Sequence, residues 1–288
     1  MTDRNFRPLF FVLSLAVIIF CSLNLTAADD KKITPEELIA RHIESIGSKE
    51  TIAAVKTRAV AGSVKTLNRL GQAGEIVGKG VLLSENPKLI YSMRFPSTQY
   101  PSEQMAFDGA NSATGFLPEG RRSNLSLFLS QQTLPLSEGL LGGTLSTSWP
   151  LLRLEQMKPR LEYKGIKKVN DKPLHVLNYR QKSGSPDLKV SLYFDTATFR
   201  HVKSEYKFTI PARIGVGNEN SNTIQESYYL LTEEFDDFRV VDGITLPHTY
   251  KMQLSVSTST GSLLQDWLLK ADTISHKEVF DDKSFKLN

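Results

Sequence analysis

The feature that most constrains this chain is a period of two residues, repeated many times. Leu188, Val190, Leu192 and Phe194 alternate with Lys189, Ser191 and Tyr193. Tyr250, Met252, Leu254 and Val256 alternate with Lys251, Gln253 and Ser255, and Leu89, Tyr91, Met93 and Phe95 with Ile90, Ser92 and Arg94. Val60, Gly62 and Val64 repeat the pattern, as do Val202, Tyr206 and Phe208 against His201, Lys203, Glu205 and Lys207. Successive side chains of an extended chain point to opposite faces. Such runs therefore make strands with one buried and one wet face, the mark of antiparallel pairing. On this reading His201 is a solvated residue. Asn86-Pro87, Asp108-Gly109, Asn170-Asp171, Asp195-Thr196 and Asp242-Gly243 punctuate the runs as turns. About ten strands are expected between Thr57 and Asn288, and one sheet of that size must curl or close on itself. The polar stretch from Pro211 to Asn222 reads as a long hairpin loop.

Two segments break the period. Before the strands, Thr34, Pro35 and Glu37 have the spacing of a helix start with a capping box, and Ile33 and Leu38 that of a hydrophobic staple. Leu38, Ile39, His42, Ile43 and Ile46 then share one helical face, with His42 expected as a packed core residue and Gly47 ending the run. A short second helix is expected from Lys49 to Val55. Within the strands, residues from Ser123 to Leu152 are rich in leucine and carry one charge, Glu138. This insert reads as one or two short apolar helices with breaks at Gly139, Gly142 and Gly143, and Leu125, Phe128 and Leu129 share a face. So apolar a segment must lie against something. It is either a plug closing one end of the core or a lid over an apolar cavity.

The first 28 residues read as an export signal. Arg4 and Arg7 precede a run from Leu9 to Phe20 that is apolar except for Ser14, and Thr26-Ala27-Ala28 supplies small residues for cleavage after Ala28. The alternative is an uncleaved anchor, although the strongly apolar run is shorter than the roughly 20 residues of a spanning helix. Cys21, the one cysteine, excludes a disulfide framework and a cysteine-based zinc site, and Phe20 before it disfavours lipid attachment. The organisation expected is a signal peptide over 1–28 and a single domain over 29–288, periplasmic after cleavage or membrane-tethered without it.

Function classes narrow further by what is missing. With 35 basic and 31 acidic residues, net charge +4, the balance is too even and too dispersed for a nucleic-acid binder. An apolar share of 40% and a charged share of 23% argue against a disordered tail protein or a multi-span membrane protein. The sequence holds no G-x-S-x-G elbow, Walker loop, G-x-G-x-x-G or HExxH, and His42, His175, His201, His248 and His276 share no ligand spacing. The doublets Glu233-Glu234, Asp236-Asp237 and Asp281-Asp282 put their carboxylates on opposite faces of a strand, so neither metal nor acid-base chemistry is expected there. No cofactor and no enzymatic activity are expected.

An exported chain with N-terminal helices, one large antiparallel sheet and an apolar helical insert resembles the periplasmic lipoprotein carriers of the LolA/LolB type. Gly78-Lys79-Gly80-Val81-Leu82 through Asn86-Pro87-Lys88-Leu89-Ile90-Tyr91 resembles that family's strand, x-Pro turn and following strand. Phe107-Asp108-Gly109 leading to Phe116-Leu117-Pro118 resembles its Asp-Gly hairpin. Asp242-Gly243-Ile244-Thr245-Leu246-Pro247-His248 is similar to a turn of outer-membrane lipoprotein-sorting relatives. One departure is Asn86, where the carriers place an arginine that helps hold the lid. The resemblance implies a mainly β fold, a single curved sheet forming a half-open barrel with an apolar concave face covered by helices, which takes up acyl chains. The partner implied is the acyl chain of a lipid or lipoprotein, with transient membrane contact. The groove residues expected are Tyr91, Met93, Phe107, Leu192, Phe194, Tyr206, Phe208, Tyr250 and Met252, with Leu127, Phe128 and Leu129 from the lid. The alternative is an interaction or sensor module of the same fold, its core filled and its partner an envelope protein.

Overall fold

Thr34 starts the first helix, α1 (Pro35–Ile46), by accepting a hydrogen bond from the Glu37 N–H at 3.1 Å. The other half of the expected capping box is not made, because the Glu37 carboxylate sits 2.5 Å from Arg41 one turn further on. Leu38, Ile39, His42 and Ile46 are buried, as the 3.6-residue period requires. Ser48 caps a second, short helix, α2 (Lys49–Ala54). These are elements of a computed structural model that describes residues 33–70, 74–182, 187–211 and 226–287. The expected signal peptide, and all of the expected 211–222 loop except Pro211, lie outside the described residues.

The alternating runs form one antiparallel sheet. The chain lays down β1 (Thr57–Asn68), β2 (Glu75–Glu85), β3 (Lys88–Arg94), β4 (Ser102–Phe107) and the three-residue β5 (Ser112–Thr114) as a meander. After the insert a second meander runs through β6 (Arg160–Val169), β7 (Lys172–Arg180), β8 (Leu188–Asp195), β9 (His201–Ile210), β10 (Ser227–Val241), β11 (Ile244–Thr258) and β12 (Gly261–Ser275). β12 returns to pair with β1, giving twelve strands where about ten were expected, in the order β5-β4-β3-β2-β1-β12-β11-β10-β9-β8-β7-β6. Four of the five expected turn dipeptides fall between consecutive paired strands, and the fifth, Asp195-Thr196, begins on the last residue of β8 and leads into the turn to β9. Asn170 and Asp171, and Asp242 and Gly243, adopt the left-handed backbone that suits the twist of a two-residue hairpin.

The sheet is open: β5 is one edge and β6 the other. Bulges help to curve it. The β1–β12 register slips between Ala61 and Gly62, where a Cβ on Gly62 would lie 2.0 Å from the Lys270 carbonyl oxygen, so only glycine fits. A second slip overturns one expectation. Between Tyr193 and Phe194 the β8–β9 register skips Val202, which shifts the phase of β9. His201, expected in solvent, therefore points into the core and is 1% exposed. Val202, expected inside, joins Leu174, Val176 and Tyr193 in a small cluster apart from the main core. Ile90, Ala106 and Phe285 form a second such cluster, to which the C-terminal segment delivers the Phe285 ring.

Candidate functional site

Topology dictates where the insert goes. It joins β5 to β6, the two opposite edges of an open sheet, so it must cross a face of that sheet. The apolar side chains of the insert choose the concave face. α3 (Asn124–Gln131) and α4 (Leu134–Ser137) are followed by single turns at Gly143–Leu145 and Pro150–Leu152 and by α5 (Leu154–Met157). Leu125, Phe128, Leu129, Leu136, Leu140, Leu141, Leu145, Trp149 and Leu151 are each at most 1% exposed and share one core with the inward residues of the strands. Burying a side chain of this size contributes about 2 kcal/mol.

The expected groove residues converge in that core. Tyr91, Met93, Phe107, Leu192, Phe194, Tyr206, Tyr250 and Met252 are each at most 8% exposed. Phe208 is half-buried at its margin, where its ring lies 6.0 Å from Tyr229. Of the three lid residues, Phe128 stacks on Tyr229 at 6.2 Å and Leu129 is fully buried. Leu127 does not join them: it is 42% exposed on the outer side of α3.

Polar fasteners hold the insert down, and these escaped the sequence reading. On β4, buried Glu103 accepts hydrogen bonds from Ser123 Oγ (2.8 Å), Ser126 Oγ (2.5 Å) and Tyr100 Oη (2.5 Å), while Ser123 also caps α3. On β10, Glu233 accepts from the Gly142 N–H (2.7 Å) and from Tyr250 and Tyr206 Oη (both 2.6 Å). Glu138, on the insert, accepts from Tyr179 Oη at 2.6 Å. At the far end the Trp149 indole N–H donates to His42 Nε2 at 3.0 Å, and His42 Nδ1 faces the Phe199 carbonyl at 3.0 Å. Those contacts put the His42 proton on Nδ1. Trp149 also stacks on His201, with ring centroids 4.6 Å apart. Arg58, at the start of β1, donates to the Thr144 carbonyl at 2.5 Å.

Burial moves these groups away from their charged forms. Desolvation raises the carboxyl pKa of Glu103 and Glu233 in spite of their hydrogen bonds. It lowers His42 to about 4, and it holds His201 well below the usual range, with help from neighbouring His42. One signal could have found the carboxylates. Glu233 shares the inward parity of Leu231 and Phe235, Glu103 that of Met105 and Phe107, and Glu138 is the one charge of the insert. His201 carried no such signal, because a bulge set its direction.

Among the described residues, no group of three or more His, Cys, Asp or Glu is arranged to hold a metal ion, and no helix is long and apolar enough to cross a membrane. A cavity of about 480 Å³ opens beside the insert, between α2, β1 and the β2–β3 turn, and none of its lining residues is an expected groove residue.

No family model matches the sequence, and no curated protein matches it. Solved structures do. The LolA superfamily protein NE2245 from Nitrosomonas europaea is similar at 15% identity and a TM-score of 0.48, over 88% of this chain and 98% of that one. A putative outer membrane lipoprotein-sorting protein domain from Vibrio parahaemolyticus is similar at 12% identity and a TM-score of 0.44, over 87% and 96%. A DUF1329 family protein from Desulfovibrio piger is similar at 10% identity and a TM-score of 0.41, over 87% and 96%. Identities this low leave the role of every residue to be argued from the geometry of this chain.

Proposed function

We propose that this protein is a non-catalytic binder of the bacterial envelope that takes up the acyl chain of a lipid or lipoprotein on its concave face, with its own insert as the competing occupant. One observation supports the reading: the side chains of the insert share one core with the inward residues of the strands, so the insert occupies the place an acyl chain would take. Were the insert withdrawn, Tyr91, Met93, Phe107, Leu192, Phe194, Tyr206, Phe208, Tyr250 and Met252 would line an apolar surface. A hydrocarbon chain entering there exchanges one apolar contact for another, at about 0.8 kcal/mol per buried methylene. The polar fasteners then set the balance between closed and loaded forms. Phe128 and Leu129 leave the core on opening, and Leu127 already faces outward. Residues 1–28, as a signal peptide, deliver the domain over 29–288 to the periplasm.

A second reading has its own support. Glu103 and Glu233 are fully hydrogen-bonded inside the core. Withdrawing the insert strips each of donors, which costs several kcal/mol for a buried charge. On that reading the insert is a permanent plug and the domain is an interaction module for an envelope protein.

Native mass spectrometry of protein purified from its own envelope, with N-phenyl-1-naphthylamine binding, separates the two. The carrier reading expects co-purifying lipid, and probe binding several-fold higher in Glu233→Gln and in the Ser123→Ala/Ser126→Ala pair. Absence of lipid, with no probe binding in any variant, assigns the plug.

A further inference from the structure

The cavity beside the insert has an unusual electrostatic make-up. Arg58 and Arg153 both border it, and neither makes an ion pair among the described residues. Arg58 is 5% exposed, and its partners are the Thr144 carbonyl and His276 Nε2, at 2.5 and 3.0 Å. The Asp242 carboxylate reaches it only through His276, whose Nδ1 lies 3.2 Å from Asp242 Oδ2. Burial lowers the Arg58 guanidinium to about 10, which still leaves it a cation at neutral pH. Arg153 gives Nη2 to the carbonyls of Ser148 and Glu138, while its Nε is buried without a partner. Thr144 Oγ1 and Thr147 Oγ1, also on the lining, are buried and unpartnered as well. These three atoms are closed off behind the lining, so the groups left to face the cavity on its polar side are the cations. Lys56 adds a third cation at the rim, and the carboxylate of the lining, Glu85, lies 3.6 Å from Lys88.

Of the remaining wall, Ile46, Ile52, Ala53, Val55, Leu152 and Ile244 are apolar and Asn86 is polar. At about 480 Å³ the cavity is within the size range of small-molecule sites. The geometry points to a binding site for a small anionic amphiphile, its phosphate or carboxylate held by the cationic side of the cavity, Arg58, Arg153 and Lys56, its apolar stem against the isoleucine wall. None of its lining residues is an expected groove residue, but Thr144, Thr147 and Leu152 belong to the insert and Arg153 follows it, so the site is complete only while the insert is seated.

Isothermal titration of the full chain with monododecyl phosphate, below its micellar concentration, tests the inference. One equivalent is expected to bind, with dodecanol and inorganic phosphate each at least tenfold weaker. Arg153→Gln and Arg58→Gln should each weaken binding at least tenfold, and Ala53→Glu, an exposed position of α2 at the cavity wall, several-fold. If Arg58→Gln fails to fold by near-UV circular dichroism, the other two variants decide. Dodecanol binding as tightly as the phosphate ester overturns the anion site, and inorganic phosphate binding as tightly overturns the role of the apolar wall. Binding that responds to Glu233→Gln but to none of the cavity variants places the dodecyl chain in the trough and also overturns the proposal.

Discussion

The two ends of the insert are fastened, one to the sheet and the other to α1 and β9, by groups that answer acid in opposite directions. At the α3 end and the middle, Ser123, Ser126 and Gly142 hold the carboxylates of Glu103 and Glu233. At the far end Trp149 is held by the imidazoles of His42 and His201. Burial acts on both, but the charged form of a carboxyl is the deprotonated one and that of an imidazole the protonated one. Glu103 and Glu233 therefore have folded pKa values above the ordinary 4.5. The folded state holds those protons more tightly than the unfolded one, and the cost of the buried charge is relieved as pH falls through the raised values towards 4.5. His42 and His201 have folded values below the ordinary 6.5. Their neutral-form stability is fully present above 6.5 and is lost as pH falls below it. Mild acid thus loosens the Trp149 end while the serine end holds.

Removing one carboxylate is the largest way to break this arrangement. Glu233→Leu leaves two tyrosine hydroxyls and the Gly142 N–H without an acceptor in the core, an expected loss of about 4 kcal/mol in urea unfolding. Glu233→Gln keeps an acceptor and should cost about 1–2 kcal/mol. Equal losses in the two variants would mean that charge, rather than acceptor capacity, holds the middle of the insert.

The imidazole end gives the next effect. Between pH 6.5 and about 4, the range set by His42, the protein should lose about 3 kcal/mol from this residue, with His201 acting in the same direction. The near-UV signal of Trp149 should fade over the same interval. His42→Gln retains hydrogen-bonding groups without the titration, so its stability should be flatter across that interval. An unchanged slope in the variant would assign the acid sensitivity elsewhere.

Why the sheet was legible from sequence and its fasteners were not follows from the same two residues, His201 and Glu233. Tyr250, Met252, Leu254 and Val256 keep strict parity along β11, and all four are buried as their period demands. Three of the five turn dipeptides, Asp108-Gly109, Asn170-Asp171 and Asp242-Gly243, hold residues at positive φ, a backbone that few residues adopt. Period and turn chemistry are local, so one chain segment suffices to see them. A bulge is a relation between two strands, and at β9 it reversed the expected direction of His201. Glu233 kept an inward parity, yet a glutamate at such a position makes sense only once the tyrosines of β9 and β11 and the N–H of Gly142 are beside it. The insert itself was legible as apolar, because its leucines crowd one segment that carries a single charge. Its crossing from edge to edge was not, since that required the pairing of β1 with β12.

Two smaller substitutions sharpen the description of the serine end. Ser123→Ala removes both the cap of α3 and one donor to Glu103, and should cost about 1–2 kcal/mol. The smallest expected effect is at Leu127, on the same helix as fully buried Leu125 and Leu129 but 42% exposed. Helical geometry turns it away from the face that Leu125, Phe128 and Leu129 share. Its truncation opens no cavity, so Leu127→Ala should change stability by no more than about 0.5 kcal/mol. Urea unfolding of both variants in one series checks the contrast. A loss at Leu127 as large as that at Ser123 would mean that the outer side of α3 is covered in solution, and that the serine end is held from both faces instead of from the concave face alone.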